Sequence, residues 1–327
     1  METIPVFTIS SVEYLNYLLV MIWSAMLWAD PQKQYVFYIA HQGIALEKQL
    51  WMQRQLACME NCRVCFLDVA SAMAAKGWDI GNFTGKTPCF SLLAPDFLPQ
   101  YDKLLVLDAD LIVRRDIAEL YHTELGDNFL GAVPDLDFIG QWARGNREYY
   151  QYYTQDVPLS DPLHYVQAGV LLLNCQALRR QFPAGFFYQI AEKQKFRYDD
   201  QDIWNLYCAG RIVQLEQRWN VIHDNRRYRL RHVIAFAPRA LTEEYRAARE
   251  NPYIVHYAGD QKPWNDSACD FAQVFWTVAQ QTPIAGALET QCRIQSAARR
   301  SLRGVVRFVY HECMRAGIRL RLFLKRS

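Results

Sequence analysis

Short β-rich runs that alternate with helical ones predict an α/β fold, with a mainly parallel central sheet flanked by helices. Three observations carry this. The alternation is regular over the first 70 residues. The run Lys103-Leu-Leu-Val-Leu-Asp-Ala-Asp110 is continuously apolar until it ends in two carboxylates, as a strand buried on both faces reads. Hydrophobic residues make up 51% of the 327, enough for one large or two modest cores, which excludes a disordered or collagen-like chain.

Taken in order, Val6–Ser10 reads as a strand, Tyr14–Trp28 as a helix, Tyr35–Ala40 as a strand, Leu46–Ala57 as a helix and Val64–Val69 as a strand. The stretch from Tyr14 to Ala29 is uncharged and apolar, but Asn16 and Ser24 interrupt it and it is shorter than the roughly 20 residues a spanning helix needs. It is therefore expected to be a buried core helix. A helical segment near Ser91–Leu98 precedes the Lys103–Asp110 strand, and further strands are expected at Phe129–Pro134 and Gly169–Asn174. Between them the Tyr- and Gln-rich stretch Tyr149–Tyr153 lacks periodicity and reads as a loop or lid over a site. Helices follow at Ala184–Lys195 and Asp200–Cys208, then a strand at Tyr253–Tyr257 and a helix from Asn265 to about Gln280. No internal repeat or low-complexity linker divides the chain. The expected organisation is one domain over 1–282 and a helical tail over 283–327.

The formal charge of +2 hides polarity: beyond residue 290 the chain carries ten Lys/Arg and one acid, Glu312. Leu302, Val305, Val306, Val309, Met314, Ile318 and Leu322 recur near helical spacing among those cations, the pattern of a basic amphipathic helix at a membrane surface or of a solvated or dimer-covered helix. Nine cysteines, an odd number, and no secretion signal point to a reduced, cytosolic protein. Cys58-x-x-x-Cys62-x-x-Cys65 has iron–sulfur spacing, but it straddles a helix end and a strand, so buried thiols are the expectation.

Two clusters can carry chemistry. In Asp108-Ala-Asp110, side chains two apart on an extended chain share a face, and two hard oxygen ligands so placed suit Mg²⁺ or Mn²⁺ bridged to a diphosphate; alternatively Asp110 caps a turn. In His256-Tyr-Ala-Gly259-Asp-Gln-Lys262-Pro-Trp264, an imidazole can ligate a metal, a glycine lets backbone approach phosphate and a lysine supplies a point charge. No Gly-rich phosphate loop follows the first strand, which disfavours a nucleotidyltransferase.

These clusters, with Leu92-Leu-Ala-Pro-Asp-Phe-Leu-Pro99, Ala168-Gly-Val-Leu-Leu-Leu-Asn174 and Asp200-Gln-Asp-Ile-Trp-Asn205, resemble glycosyltransferase family 8 over residues 6–265. The resemblance implies a GT-A-type nucleotide-sugar-binding fold. The implied activity is metal-dependent, retaining transfer of galactose or glucose from a UDP-sugar to a lipopolysaccharide, lipooligosaccharide or other surface glycan. By motif, Asp108, Asp110 and His256 would hold Mn²⁺ (or Mg²⁺). Thr8, Ser10, Asp108, Ala109, Gln167, Gly259 and Lys262 would hold the nucleotide-sugar, and Asp135, Asp200 and Gln201 would form the catalytic group, with Gln201 facing the anomeric carbon. The expected partners are the donor, a glycan or lipid-linked acceptor and an anionic membrane surface for the tail. The expected location is cytoplasmic, peripheral on the inner face, with no nucleic acid bound.

The sequence departs from the family pattern in three places. Ser10 and Ser11 stand where an Asp usually reads uracil, Gln167 stands for Asn, and Cys89 and Ser91 stand for an aromatic and an Arg, a loss Lys86 is available to offset. These departures keep a second expectation open: a membrane-associated nucleotide-sugar-binding protein with impaired turnover.

Overall fold

The computed structural model describes residues 1–79, 81 and 87–295, and contacts divide the chain into two compact units, Met1–Asp260 and Gln261–Ser327. The first begins with β1 (Glu2–Ile9), α1 (Leu15–Met26), β2 (Lys33–His41), α2 (Leu46–Gln55), β3 (Cys62–Asp68) and α3 (Val69–Ala75). A 3₁₀ segment, Thr87–Leu93, runs into α4 (Ala94–Phe97), then β4 (Lys103–Leu107), β5 (Leu111–Val113), α5 (Ile117–Tyr121), β6 (Leu130–Pro134), α6 (Leu136–Ala143) and α7 (Arg147–Gln151). The unit closes with β7 (Val166–Asn174), α8 (Cys175–Gln181), α9 (Phe186–Lys193), α10 (Asp199–Tyr207), β8 (Ile212–Gln214), β9 (Val221–Ile222), α11 (Arg229–His232), α12 (Arg239–Glu250) and β10 (Ile254–His256).

Seven strands form the main sheet in the order β3-β2-β1-β4-β7-β6-β8, parallel except for β7, which runs antiparallel to both neighbours. Leu104 to Leu107 and Val170 to Leu173 are almost wholly buried, which is why their sequences are continuous apolar runs. The chain leaves β1 towards β2 on one side and later returns to β1's other side as β4, so the β1/β4 boundary is a topological switch point, where open α/β sheets bind ligands. Phe7 lies opposite Val106, so Ser10 and Asp108 emerge at the same sheet edge. Because β7 is antiparallel, its beginning lies at that edge too: Leu107 faces Val170, and the Asp108 N–H donates to Gly169 O at 2.9 Å.

A small second sheet, β5-β10-β9, carries the rest of the site. His256 faces Leu111 across β10 and β5, which sets it beside Asp110, while β9 follows Asn220 and pairs in parallel with β10.

The α/β expectation and the buried helix α1 match the structure, and among the described residues no helix is long and apolar enough to cross a membrane. Several local expectations change. The lid expected at Tyr149–Tyr153 is helical: Asn146 caps α7, and a π-helical turn follows at Tyr152–Asp156. Tyrosine obscures the periodicity, because Tyr149 and Tyr153 bury their rings against Phe138 while their hydroxyls find polar partners inside. Asp108-Ala-Asp110 is a turn between β4 and β5, not the end of a strand, so backbone reversal brings the carboxylates together where the pleat was expected to. Cys58 is exposed in the turn after α2, and Cys62 and Cys65 are half-buried because β3 is an edge strand; burial still pushes the Cys62 thiol up to about 12.

In the second unit the helix expected from Asn265 begins later, as α13 (Ala272–Ala279), because residues 261–271 are taken up by turns. Trp276 Nε1 donates to Pro263 O and Trp264 packs on Phe275. Residues 285–295 are helical. The remainder of the predicted tail, 296–327, and Lys86 lie outside the described residues.

Candidate active site

A cavity of about 640 Å³ opens at the switch point, walled by the ends of β1, β4 and β7, the start of α10 and the loop after β10. Ser10, Asp108, Ala109, Asp110, Gln167, Asp200, Gln201, His256 and Gly259, all singled out from the sequence, line it. Asp135 lies one hydrogen bond behind the wall. Thr8 is wholly buried within β1 and its hydroxyl has no hydrogen-bond partner. Lys262 falls in the second unit, where its backbone N–H donates to Asn265 Oδ1 and its Nζ lies 5.9 Å from the Trp264 ring.

His256 Nε2 is 3.3 Å from Asp110 Oδ1 and 3.6 Å from Asp108 Oδ2, and ligand atoms of the three residues all lie within 4.8 Å of one another. Two hard carboxylate oxygens and an imidazole nitrogen suit Mn²⁺ or Mg²⁺. The other imidazole nitrogen, Nδ1, is 3.0 Å from Asn220 Oδ1, the outer hydrogen bond expected of a metal-ligating histidine. Gly169 gives the cluster room: a Cβ there would come within 2.3 Å of His256 Cε1 and 2.7 Å of Asp108 Oδ2.

The cavity's other wall is built by α10. Gln201 Oε1 accepts from Ala168 N at 3.0 Å and its Nε2 donates to Asp135 Oδ2 at 2.9 Å, so both ends of the amide are tied. Asp135 caps α6 with its other oxygen, accepting from Asp137 and Phe138 backbone N–H groups. Burial, together with the Asp137 charge, holds its carboxyl above the usual range. Asp200 is pushed well above that range by burial; the hydroxyl of Ser91 donates to it and opposes the shift, while the Asp108 charge adds to it.

Asp202, wholly buried, accepts from the hydroxyls of Tyr153 at 2.8 Å, Tyr165 at 2.6 Å and Tyr152 at 3.3 Å, and from Tyr198 N at 3.0 Å. It anchors the turn that enters α10, where Asp199 sits at φ +42°, a strained left-handed position at the cavity edge. Arg229, also buried, donates to Asp137 Oδ2 at 2.6 Å, His223 O at 2.6 Å and Ala258 O at 3.1 Å, and so fixes the loop that carries Gly259. Gly259 has φ +112°, and a Cβ there would meet Asn225 Nδ2 at 2.8 Å. Asn220 and Arg229 lie between Trp219 and Pro238, a stretch with no readable motif; their only sequence signal is a polar residue type next to an apolar run.

The sequence profile of glycosyl transferase family 8 matches residues 5–268. The chain belongs to glycosyltransferase family 8. Over 186 residues it is 27% identical to the lipopolysaccharide 1,2-glucosyltransferase of Escherichia coli, covering 55% of this chain and 50% of that one. Among solved structures, the apo form of the bifunctional glycosyltransferase WbbM superposes with a TM-score of 0.79 at 23% identity, over 89% of this chain and 52% of that one. The galactosyltransferase LgtC, in complex with donor and acceptor sugar analogs, superposes with a TM-score of 0.63 at 26% identity, over 86% and 96%. This chain thus spans about half the length of the first two.

Proposed function

We propose that this family 8 member transfers a hexose, glucose or galactose, from a UDP-sugar to a glycan or lipid-linked acceptor of the lipopolysaccharide class, with retention of anomeric configuration. The observation that carries the reading is the convergence of Asp108, Asp110 and His256 at the mouth of the switch-point cavity. Those residues would hold Mn²⁺ or Mg²⁺, which when bound offsets the negative charge of a departing nucleoside diphosphate.

The chain's own groups do the remaining work. Gly259 backbone, held by Arg229 through Ala258, faces the diphosphate, Lys262 is assigned to it by motif alone, and Ser10 reads the base edge. Gln167 and Asp200 hold the sugar, and Gln201, kept rigid by Ala168 and Asp135, faces the anomeric carbon. An amide with both ends engaged is a poor nucleophile, and Asp200, engaged by the Ser91 hydroxyl, is the less favoured candidate. Retention then proceeds by attack of the acceptor on the face from which the diphosphate leaves, without a covalent intermediate. The galactose-or-glucose preference and the acceptor class follow the names of the relatives, and the basic tail would hold the enzyme at an anionic membrane near a lipid-linked acceptor.

Mn²⁺-dependent thermal stabilisation across UDP, GDP, CDP and TDP sugars, scored with nucleotide release, tests the donor. Binding to the native state alone adds about 2.7 kcal/mol at a ligand concentration of 100 Kd. UDP-glucose or UDP-galactose should stabilise the wild type and not Asp110→Ala; wild-type turnover by Asp110→Ala refutes the reading. Stabilisation without UDP release would favour the binding-protein alternative that Ser91 motivates. Salt-sensitive sedimentation with anionic vesicles, lost on truncation near residue 285, tests the tail.

A further inference from the structure

One backbone N–H sets the polarity of a chain of hydrogen bonds that ends at His256. The Gly169 N–H can only donate, and it lies 2.6 Å from Gln167 Oε1, so that atom is the amide's oxygen. The same oxygen lies 2.6 Å from one terminal atom of the Asn220 amide, which must therefore be its NH₂. The other Asn220 atom, Oδ1, then faces His256 Nδ1 at 3.0 Å, so Nδ1 carries the proton and Nε2 is the nitrogen left to ligate a cation beside Asp108 and Asp110. Asn220 and His256 are each only 2% exposed, so the link between them is shielded from water. Reading the chain the other way, Gln167 Oε1 is occupied twice, and its NH₂ is the end left for the cavity that Gln167 lines.

We propose that Asn220 is a positioning residue: it locks the His256 tautomer and ring for a divalent cation and, through the same amide, fixes which end of Gln167 meets the donor sugar. The inference rests on the cation reading of Asp108, Asp110 and His256. Asn220→Asp separates its two duties, because a carboxylate still accepts from His256 Nδ1–H but has no proton to give Gln167. Asn220→Ala removes both.

The test is Mn²⁺ binding to the full chain in the presence of UDP, followed by electron paramagnetic resonance. It is paired with the ratio of UDP-glucose to UDP affinity, with circular dichroism melts to report folding. Asn220→Ala should weaken Mn²⁺ binding by about 10- to 100-fold. Asn220→Asp should hold Mn²⁺ at least as tightly as the wild type while its UDP-glucose preference falls by about tenfold, a rescue that a merely structural role would not give. Wild-type Mn²⁺ affinity in folded Asn220→Ala, with binding lost in His256→Ala, overturns the inference and leaves the cation reading intact; wild-type affinity in His256→Ala overturns both. Should Asn220→Ala fail to fold, Asn220→Asp decides alone, since a tenfold loss of Mn²⁺ affinity in a variant that keeps the acceptor refutes the lock.

Discussion

Gly169→Ala adds one methyl group at the point where three site residues meet. Gly169 lies within β7 and not at a positive φ, so its backbone accepts alanine and the damage is purely steric. The new Cβ would stand 2.3 Å from His256 Cε1, 2.7 Å from Asp108 Oδ2 and 2.9 Å from Gln167 Oε1. Carbon atoms sit about 3.5–4.0 Å apart at rest, so the imidazole must retreat by more than about 1 Å. It cannot do so while Nδ1 remains 3.0 Å from Asn220, so either that bond breaks or β7 shifts. Overpacking of this kind costs about 1–3 kcal/mol of stability, and a 1 Å misplacement of a site group costs about 100-fold in rate. Loss of the His256 lock should weaken Mn²⁺ about 10- to 100-fold. The assay is Mn²⁺ titration with UDP present, beside UDP release from UDP-glucose and a melting curve. A folded Gly169→Ala protein with wild-type Mn²⁺ affinity would refute the steric argument and, with it, the role of His256.

Four further outcomes follow from the geometry. Asp200 is pushed above the ordinary carboxylate value of 3.8, so its contribution favours the fold below that value and is lost as pH climbs through the raised one. Asp200→Asn should therefore melt higher than the wild type at pH 7 in metal-free buffer, by a margin that shrinks towards pH 4; a pH-independent margin contradicts the assignment. Asp202→Ala strands three tyrosine hydroxyls and the Tyr198 N–H, at roughly 3–4 kcal/mol. Asp202→Asn should cost only about 1 kcal/mol by urea unfolding, since the hydroxyls can turn to accept from its amide. Asp135→Asn sets an NH₂ against either the α6 N–H groups or Gln201 Nε2, and should lose about 1–3 kcal/mol while lowering turnover. Arg229→Lys cannot reach Asp137, His223 O and Ala258 O together, so UDP affinity should fall about tenfold while Mn²⁺ binding is kept; isothermal titration separates the two.

The sequence is legible where burial is one-dimensional. Lys103–Leu107 and Val166–Asn174 are buried on both faces, so their composition alone announces central strands, and two acids at the end of such a strand announce the edge where ligands bind. It is illegible where a residue's worth depends on chain far away. Asn220 and His256 are 36 positions apart and meet only because β9 and β10 pair in parallel. Tyr149, Tyr152 and Tyr153 read as a polar loop because nothing local tells that Asp202, some 50 residues on, will accept from two of them and that Tyr198 will take the third. Ser91 shows the converse. As a departure it implies a lost cation, yet the hydroxyl engages Asp200, so a neutral donor holds that carboxyl where the resemblance implies a charge.

That exchange has a consequence for how the site keeps its shape. Among the described residues, three of the four strained non-glycine positions are Asp199, at the cavity edge where the chain enters α10, and Arg226 and Arg227, beside the loop that carries Gly259. Strain of this sort, about 1–3 kcal/mol for each residue, persists only where the surroundings over-determine it. On the α10 side the over-determination is Asp202, which holds Tyr198 N and three tyrosines. On the other side it is Arg229 with its three acceptors, together with Asp260, which takes Asn225 Nδ2 at 3.1 Å and pairs with Arg226. The cluster of Asp108, Asp110 and His256 is shaped by strand pairing and by Asn220, and the Arg229 clamp reaches it through His223, whose carbonyl accepts from Arg229 and whose N–H donates to His256 O. The cavity is thus assembled from three braced walls, and a substitution at Asp202 should disturb the α10 wall more than the Asp108, Asp110 and His256 cluster. Asn220 ties His256 to Gln167, so a change there should reach both the proposed cation cluster and the amide proposed to meet the sugar.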